Sequence, residues 1–259
     1  MGKISVLIPT YNSPDSLDLL LRSLIEGSVG NDNYEIIVGV DGTLDINESV
    51  LKKYSPHVKS LILDENVGLC RMTNLLVYNA SYELILILND DNIASKYWNT
   101  NLISLDVDGC VISPNQIEPI PSIFPQFHIK NCGRDPKIFD LEQFWDVSES
   151  LNVNLLLASK PSIDETGSTL PIFMNKIDFL RVGGWDESYP QGMVADCDFF
   201  KKCRISGLKM IRTYTTHFYH FVSLSVNSEK RSIAEREGHE FYHYKWGNYM
   251  QRDQNNNIY

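Results

Sequence analysis

Residues 82–92, YELILILNDDN, constrain the fold more than any other stretch of the chain. Five apolar residues, Leu84 to Leu88, run without interruption. A strand apolar on both faces belongs in the middle of a sheet covered by helices on both sides. The run stops at Asn89-Asp90-Asp91, so two carboxylates and an amide stand where a central strand ends. In open α/β sheets, ligands bind at the carboxyl ends of the strands. Adjacent carboxylates repel each other, and a cation between them and a ligand relieves that cost. A hard cation holding substrate phosphates fits the pattern. A polar turn after a buried strand is the competing reading.

The residues before this strand alternate between strand and helix. Strands are expected at 3–8, 35–40 and 58–63, with Pro9 closing the first. Helices are expected from Ser13-Pro14, a cap followed by proline at the first helical position, from 46 to 54, and from 69 to 79. This rhythm predicts an α/β fold with a Rossmann-like, mostly parallel central sheet flanked by helices. The polar ends Thr10-Tyr11-Asn12, Asp41-Gly42-Thr43 and Asn89-Asp90-Asp91 then gather at one sheet edge. No G-x-G-x-x-G follows the first strand, which excludes a standard dinucleotide fold. Beyond residue 92 the pattern changes. Helices are expected at 96–105, 139–150, 176–182, 196–206 and 227–249. Strands are expected at 110–113, 153–158, 170–174 and 210–221. Residues 114–136 are proline-rich and read as a long loop, functional or mobile. Residues 253–259 read as a frayed tail.

The chain has 259 residues and a net charge of −10, which argues against nucleic acid and anionic membranes as partners. Five cysteines without a C-x-x-C pair read as free thiols of a reducing, cytoplasmic compartment. No run of 18 apolar residues exists, so no transmembrane segment is expected. The apolar run before Pro9 is too short for a signal peptide.

The motifs, taken in order, resemble those of glycosyltransferase family 2, enzymes of the GT-A fold. The resemblance spans about the first 225 residues. Val6-Leu7-Ile8-Pro9-Thr10-Tyr11-Asn12 is similar to the family's first strand and nucleotide loop. Val40-Asp41-Gly42-Thr43 resembles V-D-D-G-S with one Asp missing. Asn66-Val67-Gly68, with Arg71 and Asn74, resembles the family's N-x-G stretch. Asn89-Asp90-Asp91 stands at the D-x-D motif. Gly183-Gly184-Trp185-Asp186-Glu187 is similar to G-G-F-D-E, and Asp196-Cys197-Asp198 to E-D-x-D. His220-Phe221-Val222-Ser223 resembles the late histidine motif.

The resemblance implies one GT-A domain over 1–259. Its nucleotide-binding half is 1–92, its acceptor and catalytic half 93–225, and its C-terminal helix and tail 226–259. It implies transfer of a sugar from a nucleoside-diphosphate donor, UDP- or dTDP-linked, to a hydroxyl of a glycan or other acceptor with inversion. Asp91 and His220 are then the metal ligands. One carboxylate and one imidazole suit Mn²⁺ better than Mg²⁺. His217, three residues earlier, faces the other side of a strand and reads as a core histidine. Pro9, Tyr11, Asn12, Asp41, Gly68, Arg71, Asn89 and Asp90 are the expected nucleotide-sugar contacts. Trp185 and Asp186 are expected at the sugar or acceptor, with core packing the alternative for Trp185. Asp196 is the expected general base, with Asp198 as substitute, because Ala195 stands where the family often has Glu. Helix capping is the alternative for both. Two other functions compete. A sugar nucleotidyltransferase would need a glycine-rich basic loop at 10–16, which reads TYNSPDS. A binding module with lost catalysis would account for the missing Asp after Asp41.

Overall fold

A computed structural model describes residues 2–30, 33–120, 128–158, 162–221, 228–254 and 258. The first half follows the predicted alternation: β1 (Ile4–Thr10), α1 (Pro14–Glu26), β2 (Tyr34–Asp41), α2 (Leu44–Tyr54), β3 (Val58–Leu63), α3 (Leu69–Asn79) and β4 (Leu84–Ile87). Then come β5 (Asn92–Ala94), α4 (Trp98–Ile103), β6 (Cys110–Glu118), β7 (His128–Ile129), α5 (Leu141–Leu157), β8 (Ile163–Asp164) and β9 (Ile172–Asn175). The chain ends with α6 (Lys176–Arg181), α7 (Ala195–Ile205), β10 (Lys209–His220) and α8 (Ser228–Trp246).

All ten strands form one sheet in the order β3-β2-β1-β4-β9-β6-β10-β5, with β7 beside β6 and β8 beside β10. Strands β1 to β4 pair in parallel, whereas β9 runs antiparallel between β4 and β6. Side chains alternate across β1. Ile4, Val6 and Ile8 pack with Leu17, Leu20, Leu24, Trp98 and Phe144 on one face. Leu7 joins Ile37, Ile85, Ile87, Met72, Leu76, Phe179 and Phe199 on the other. The continuous apolar run of β4 is therefore divided between two cores.

Several expectations are corrected. Pro9 does not end β1, which continues to Thr10. Its last β4 partner is Leu7, so Pro9 lies past the ladder that its missing N–H would have broken. Strand β6 likewise continues through Pro114 to Glu118, because its pairing with β9 stops at Ile112. The first part of the expected loop at 114–136 is therefore sheet, and residues 121–127 lie outside the described residues. The strand expected at 153–158 belongs to α5 instead. Asp140 caps that helix by accepting the Gln143 N–H at 2.9 Å. With no glycine or proline before Pro161, nothing stops its propagation. Leu156 and Leu157 consequently stand 78% and 79% exposed. The tail is tied down where described: Asp253 pairs with Arg204 at 3.0 Å, and Ile258 is buried in the second core.

Candidate active site

The parallel strands β1 and β2, together with β4, deliver their polar ends to one edge, as the chirality of the crossovers requires. At the end of β2, the buried Asp41 carboxylate accepts the Val67 N–H at 2.7 Å and the Gly68 N–H at 3.0 Å. It thereby satisfies two amides in the loop that opens α3. Gly42 is required next to it. Its φ is +75°, and a Cβ there would lie 2.6 Å from the Asn66 nitrogen. Gly68 itself has a φ of +86°. Arg71 follows in the first turn of α3, exposed. At the end of β1, Tyr11 is 49% exposed, and Asn12 takes a left-handed φ of +54°, which asparagine tolerates.

The Asn89-Asp90-Asp91 turn closes on itself: Asn92 Oδ1 accepts the Asn89 N–H at 3.2 Å, and the Asn92 N–H donates to Asn89 O. Thr10 Oγ1 donates to Asp90 Oδ2 at 2.7 Å. Burial, then repulsion from Asp91, push the Asp90 carboxyl up to about 7 against hydrogen bonds from Thr10, Ser13 and the Tyr11 backbone. Immediately after the turn, β5 pairs antiparallel with β10, matching Asn92 with His220. The Phe221 N–H also donates to Asp91 O at 3.3 Å. This pairing brings Asp91 to the imidazole: His220 Nε2 lies 3.5 Å from Asp91 Oδ2. The other ring nitrogen, Nδ1, lies 3.0 Å from Glu118 Oε1. Desolvation opposes a charged ring here, but hydrogen bonds to Asp91 and Glu118 outweigh it and push His220 up to about 10.

The donor set fits a divalent cation. Among the described residues, Asp91 Oδ1 is buried with no hydrogen-bond partner, and a buried carboxylate oxygen is costly in that condition. A second oxygen and an imidazole nitrogen stand beside it. Among the described residues, no group of three or more His, Cys, Asp or Glu forms a closed metal site. The fit is thus to an open site completed by oxygens of a ligand.

His217 is buried, with Nδ1 3.0 Å from Asn115 Nδ2 and Nε2 3.0 Å from Asn152 Oδ1, as a core histidine should be.

The carboxylates of α7 part company. Asp196 lies half-buried in the first turn, its Oδ1 accepting the Cys197 N–H at 2.8 Å. The preceding Val194 has a φ of +68°, a strained conformation for a β-branched residue. Asp198 is fully buried. Trp246 Nε1 donates to its Oδ1 at 2.8 Å, Lys245 Nζ lies 2.7 Å from the same oxygen, and Lys202 Nζ lies 3.3 Å from Oδ2. Asp198, the expected substitute base, is thus held by side chains of both α7 and α8. Asp186, which also lines a cleft, meets Lys245 and the Ser188 N–H at 2.6 and 2.9 Å. Burial opposes charge on Asp186, and these bonds override it to lower its pKa. Trp185 is 3% exposed and stacks on Phe199 at 6.1 Å between centroids. Its rings pack in the second core, and the residue also borders the cleft that Asp186 lines. An open cleft of about 550 Å³ lies between α3 and α6, lined by Asn74, Tyr78, Trp185, Glu187 and Lys202, and includes neither Asp91 nor His220.

Glu118 and Asn92 contact the candidate site without having been singled out in the sequence, and Thr10, expected at this edge, takes the unforeseen part of anchoring Asp90. Pro114 hid Glu118 by ending the expected strand early. The available signal was a carboxylate at a strand's carboxyl end, the same signal that exposed Asp41 and Asp91.

This is the GT-A fold, the scaffold of nucleotide-sugar-dependent glycosyltransferases. The sequence profile of Glycosyl transferase family 2 matches residues 5–131. The chain belongs to that family. It is 23% identical over 225 residues to validoxylamine A glucosyltransferase of Streptomyces hygroscopicus subsp. limoneus, covering 80% of this chain and 49% of that protein. It is 32% identical over 95 residues to the poly(ribitol-phosphate) β-N-acetylglucosaminyltransferase TarP of Staphylococcus aureus strain N315, covering 35% of this chain and 29% of that one. Among solved structures, S. aureus TarS superimposes with a TM-score of 0.61 at 16% identity, covering 94% of this chain and 44% of TarS. GalNAc-T7 with UDP, GalNAc and Mn²⁺ gives 0.61 at 13% identity, covering 85% and 44%. The chain spans about half the length of the curated relatives that it matches over most of its own length. Among the described residues, no helix is long and apolar enough to cross a membrane.

Proposed function

We propose that this chain is the donor-binding and catalytic domain of an inverting, divalent-metal-dependent glycosyltransferase. The donor is a nucleoside-diphosphate sugar, UDP- or dTDP-linked, and the acceptor a hydroxyl of a glycan or other molecule. The observation that carries this reading is the orphaned Asp91 oxygen held beside His220 at the carboxyl edge of the parallel strands.

Asp91 and His220 would hold the cation, with Mn²⁺ preferred for the imidazole. The cation's contribution is to offset charge growing on the diphosphate as the sugar–oxygen bond breaks. The protein supplies the rest. Asp41 fixes the loop at Val67 and Gly68, which sets the entry to α3 beside the nucleotide. Tyr11 offers an exposed ring to the base, and Arg71 a cation to phosphate oxygens. Asp90, anchored by Thr10, faces the ribose or the donor sugar. Asp196 takes the proton of the acceptor hydroxyl as that oxygen attacks the anomeric carbon. Asp196 is half-exposed, as a group that meets an acceptor must be, whereas Asp198 is sealed. Five free thiols, four of them buried, support a reducing compartment.

Calorimetry with UDP and dTDP, with and without Mn²⁺, tests the proposal. One of the two nucleotides should bind only with the metal, and Asp91→Ala should abolish that dependence. Nucleotide affinity indifferent to both metal and mutation would overturn it.

A further inference from the structure

We propose that Glu118 is a positioning residue of the metal site: it holds His220 in the tautomer and orientation that present Nε2 to the cation. This rests on the Asp91–His220 reading above.

The argument begins in the ladder. Strands β6 and β10 pair in parallel from Lys209↔Cys110 to Thr213↔Pro114, then resume at His217↔Asn115. Three residues of β10, 214–216, are left out of the pairing as a bulge. Had the first register continued, His217 would stand level with position 118. The bulge moves β10 on by three residues, so the ladder runs to Tyr219↔Ile117 and His220 falls level with Glu118. The same device sends His217 into the core, where Asn115 and Asn152 hold both its nitrogens. Two histidines three residues apart thus receive different tasks from one irregularity.

At the resulting position Glu118 is 6% exposed, and its Oε1 lies 3.0 Å from His220 Nδ1. An ionised carboxylate in that setting accepts a hydrogen bond and donates none. Nδ1 must therefore carry the proton in the metal-bound state, leaving the Nε2 lone pair on the side of Asp91. The two nitrogens point away from each other across the ring. Glu118 is thus placed to orient the imidazole while Asp91 shares its other side, in the arrangement by which carboxylates support metal-bound histidines. The absence of a three-residue metal cluster among the described residues agrees with a supporting rather than a ligating role for Glu118.

The test is the Mn²⁺ affinity of the full chain at saturating UDP or dTDP, whichever binds, measured by electron paramagnetic resonance. Glu118→Met fills the volume without a strong acceptor and should weaken Mn²⁺ about 10–100-fold. Glu118→Gln keeps an acceptor oxygen and should stay within about fivefold of wild type, a rescue that a packing role would not require. A Met variant within about twofold of wild type overturns the inference while leaving the metal site intact. Wild-type protein that fails to bind Mn²⁺ overturns the metal-site reading, and this inference with it. Should Glu118→Met not fold, ¹⁵N shifts of His220 in the wild-type nucleotide–Mg²⁺ complex decide. A proton on Nδ1 supports the proposal, and a proton on Nε2 with Nδ1 bare refutes it.

Discussion

Asn74→Ala should cost this protein more stability than its half-exposed position suggests. Asn74 lies in the middle of α3, 111 residues from the loop that it ties down. Its Nδ2 donates to Trp185 O at 2.9 Å and to Glu187 Oε1 at 2.9 Å, and its Oδ1 accepts the Trp185 N–H at 2.9 Å. The two bonds to Trp185 copy a strand pairing, with one side chain standing in for a backbone. Gly184 makes room for it: φ is +59°, and a Cβ there would lie 2.6 Å from Asn74 Oδ1. Removing the amide deletes two bonds worth about 1 kcal/mol each and leaves a backbone N–H unpaired at a buried residue, for a further 1–3 kcal/mol. The exposed Glu187 contact adds little. The expected loss is about 3–5 kcal/mol, or a fall in Tm of roughly 6–20 °C for a domain of this size. Urea unfolding by tryptophan fluorescence measures it, and Glu187→Ala serves as the control, with a loss below about 0.5 kcal/mol. Asn74→Asp separates the two bonds. It can still accept from Trp185 N–H but cannot donate to Trp185 O, and it meets Glu187 with like charge. It should therefore be no more stable than the alanine variant by more than about 1 kcal/mol. An Asn74→Ala loss under 1 kcal/mol would show that the loop is held by Trp185 packing alone.

Asp196→Asn should lower kcat about 10²–10⁴-fold while the Kd for the donor nucleotide stays unchanged; near wild-type turnover would remove Asp196 from the reaction. Asp198→Ala leaves Lys202 and the Trp246 N–H facing an empty buried position, while Lys245 keeps Asp186, and should cost about 1–3 kcal/mol in urea unfolding; a stable but inactive variant would give Asp198 a catalytic role. Gly238→Ala brings a Cβ to 2.5 Å from Met193 O, beside strained Val194, and should slow transfer without weakening Mn²⁺–nucleotide binding; unchanged kcat would mean that α8 does not support the Asp196 loop. Burial raises the Glu35 pKa, but hydrogen bonds from Lys59, Ser5 and Ser81 more than offset it and set the value below the ordinary 4.5. The stability that wild type holds over Glu35→Gln should therefore be full above pH 4.5 and shrink as pH falls through the lower folded value; a difference independent of pH from 6 to 3 would refute this.

What the sequence disclosed follows from where its signals are local. Continuous apolar strands alternating with amphipathic helices encode the first half of the sheet directly, and Asp41, Asp90 and Asp91 sit at strand ends that any α/β fold brings together. The five-residue run of β4 needs no long-range information to be recognised as central. Non-local register was harder to read. The pairing of Asn92 with His220 spans 128 residues, and Glu118 reaches His220 only through a bulge that no composition marks. Pro114 pointed the wrong way because its effect depends on whether a neighbouring strand is still paired there, which the sequence does not state. The partners of Trp185 and Asp186, Phe199 and Lys245, lie 14 and 59 residues away, so these contacts were not legible in the sequence either.

The division between Asp196 and Asp198 shows how one helix resolves such an ambiguity. Two residues apart on α7, they stand about 200° apart around the axis, so burying one face exposes the other. The apolar side of that turn, with Cys197 and Phe199 in the second core, decides the matter. Asp198 is carried under α8, where two ammonium groups and an indole N–H make a buried carboxylate tolerable. Asp196 is left on the open side, behind a Val194 of positive φ, with Gly238 lying close to the adjoining Met193 carbonyl. The clamp and the candidate base are therefore coupled. Lys245 of α8 pairs with Asp198 two residues from Asp196, so a change in α8 reaches the helix that carries the candidate base. A substitution in α8 that leaves the metal site untouched should register first in the chemical step.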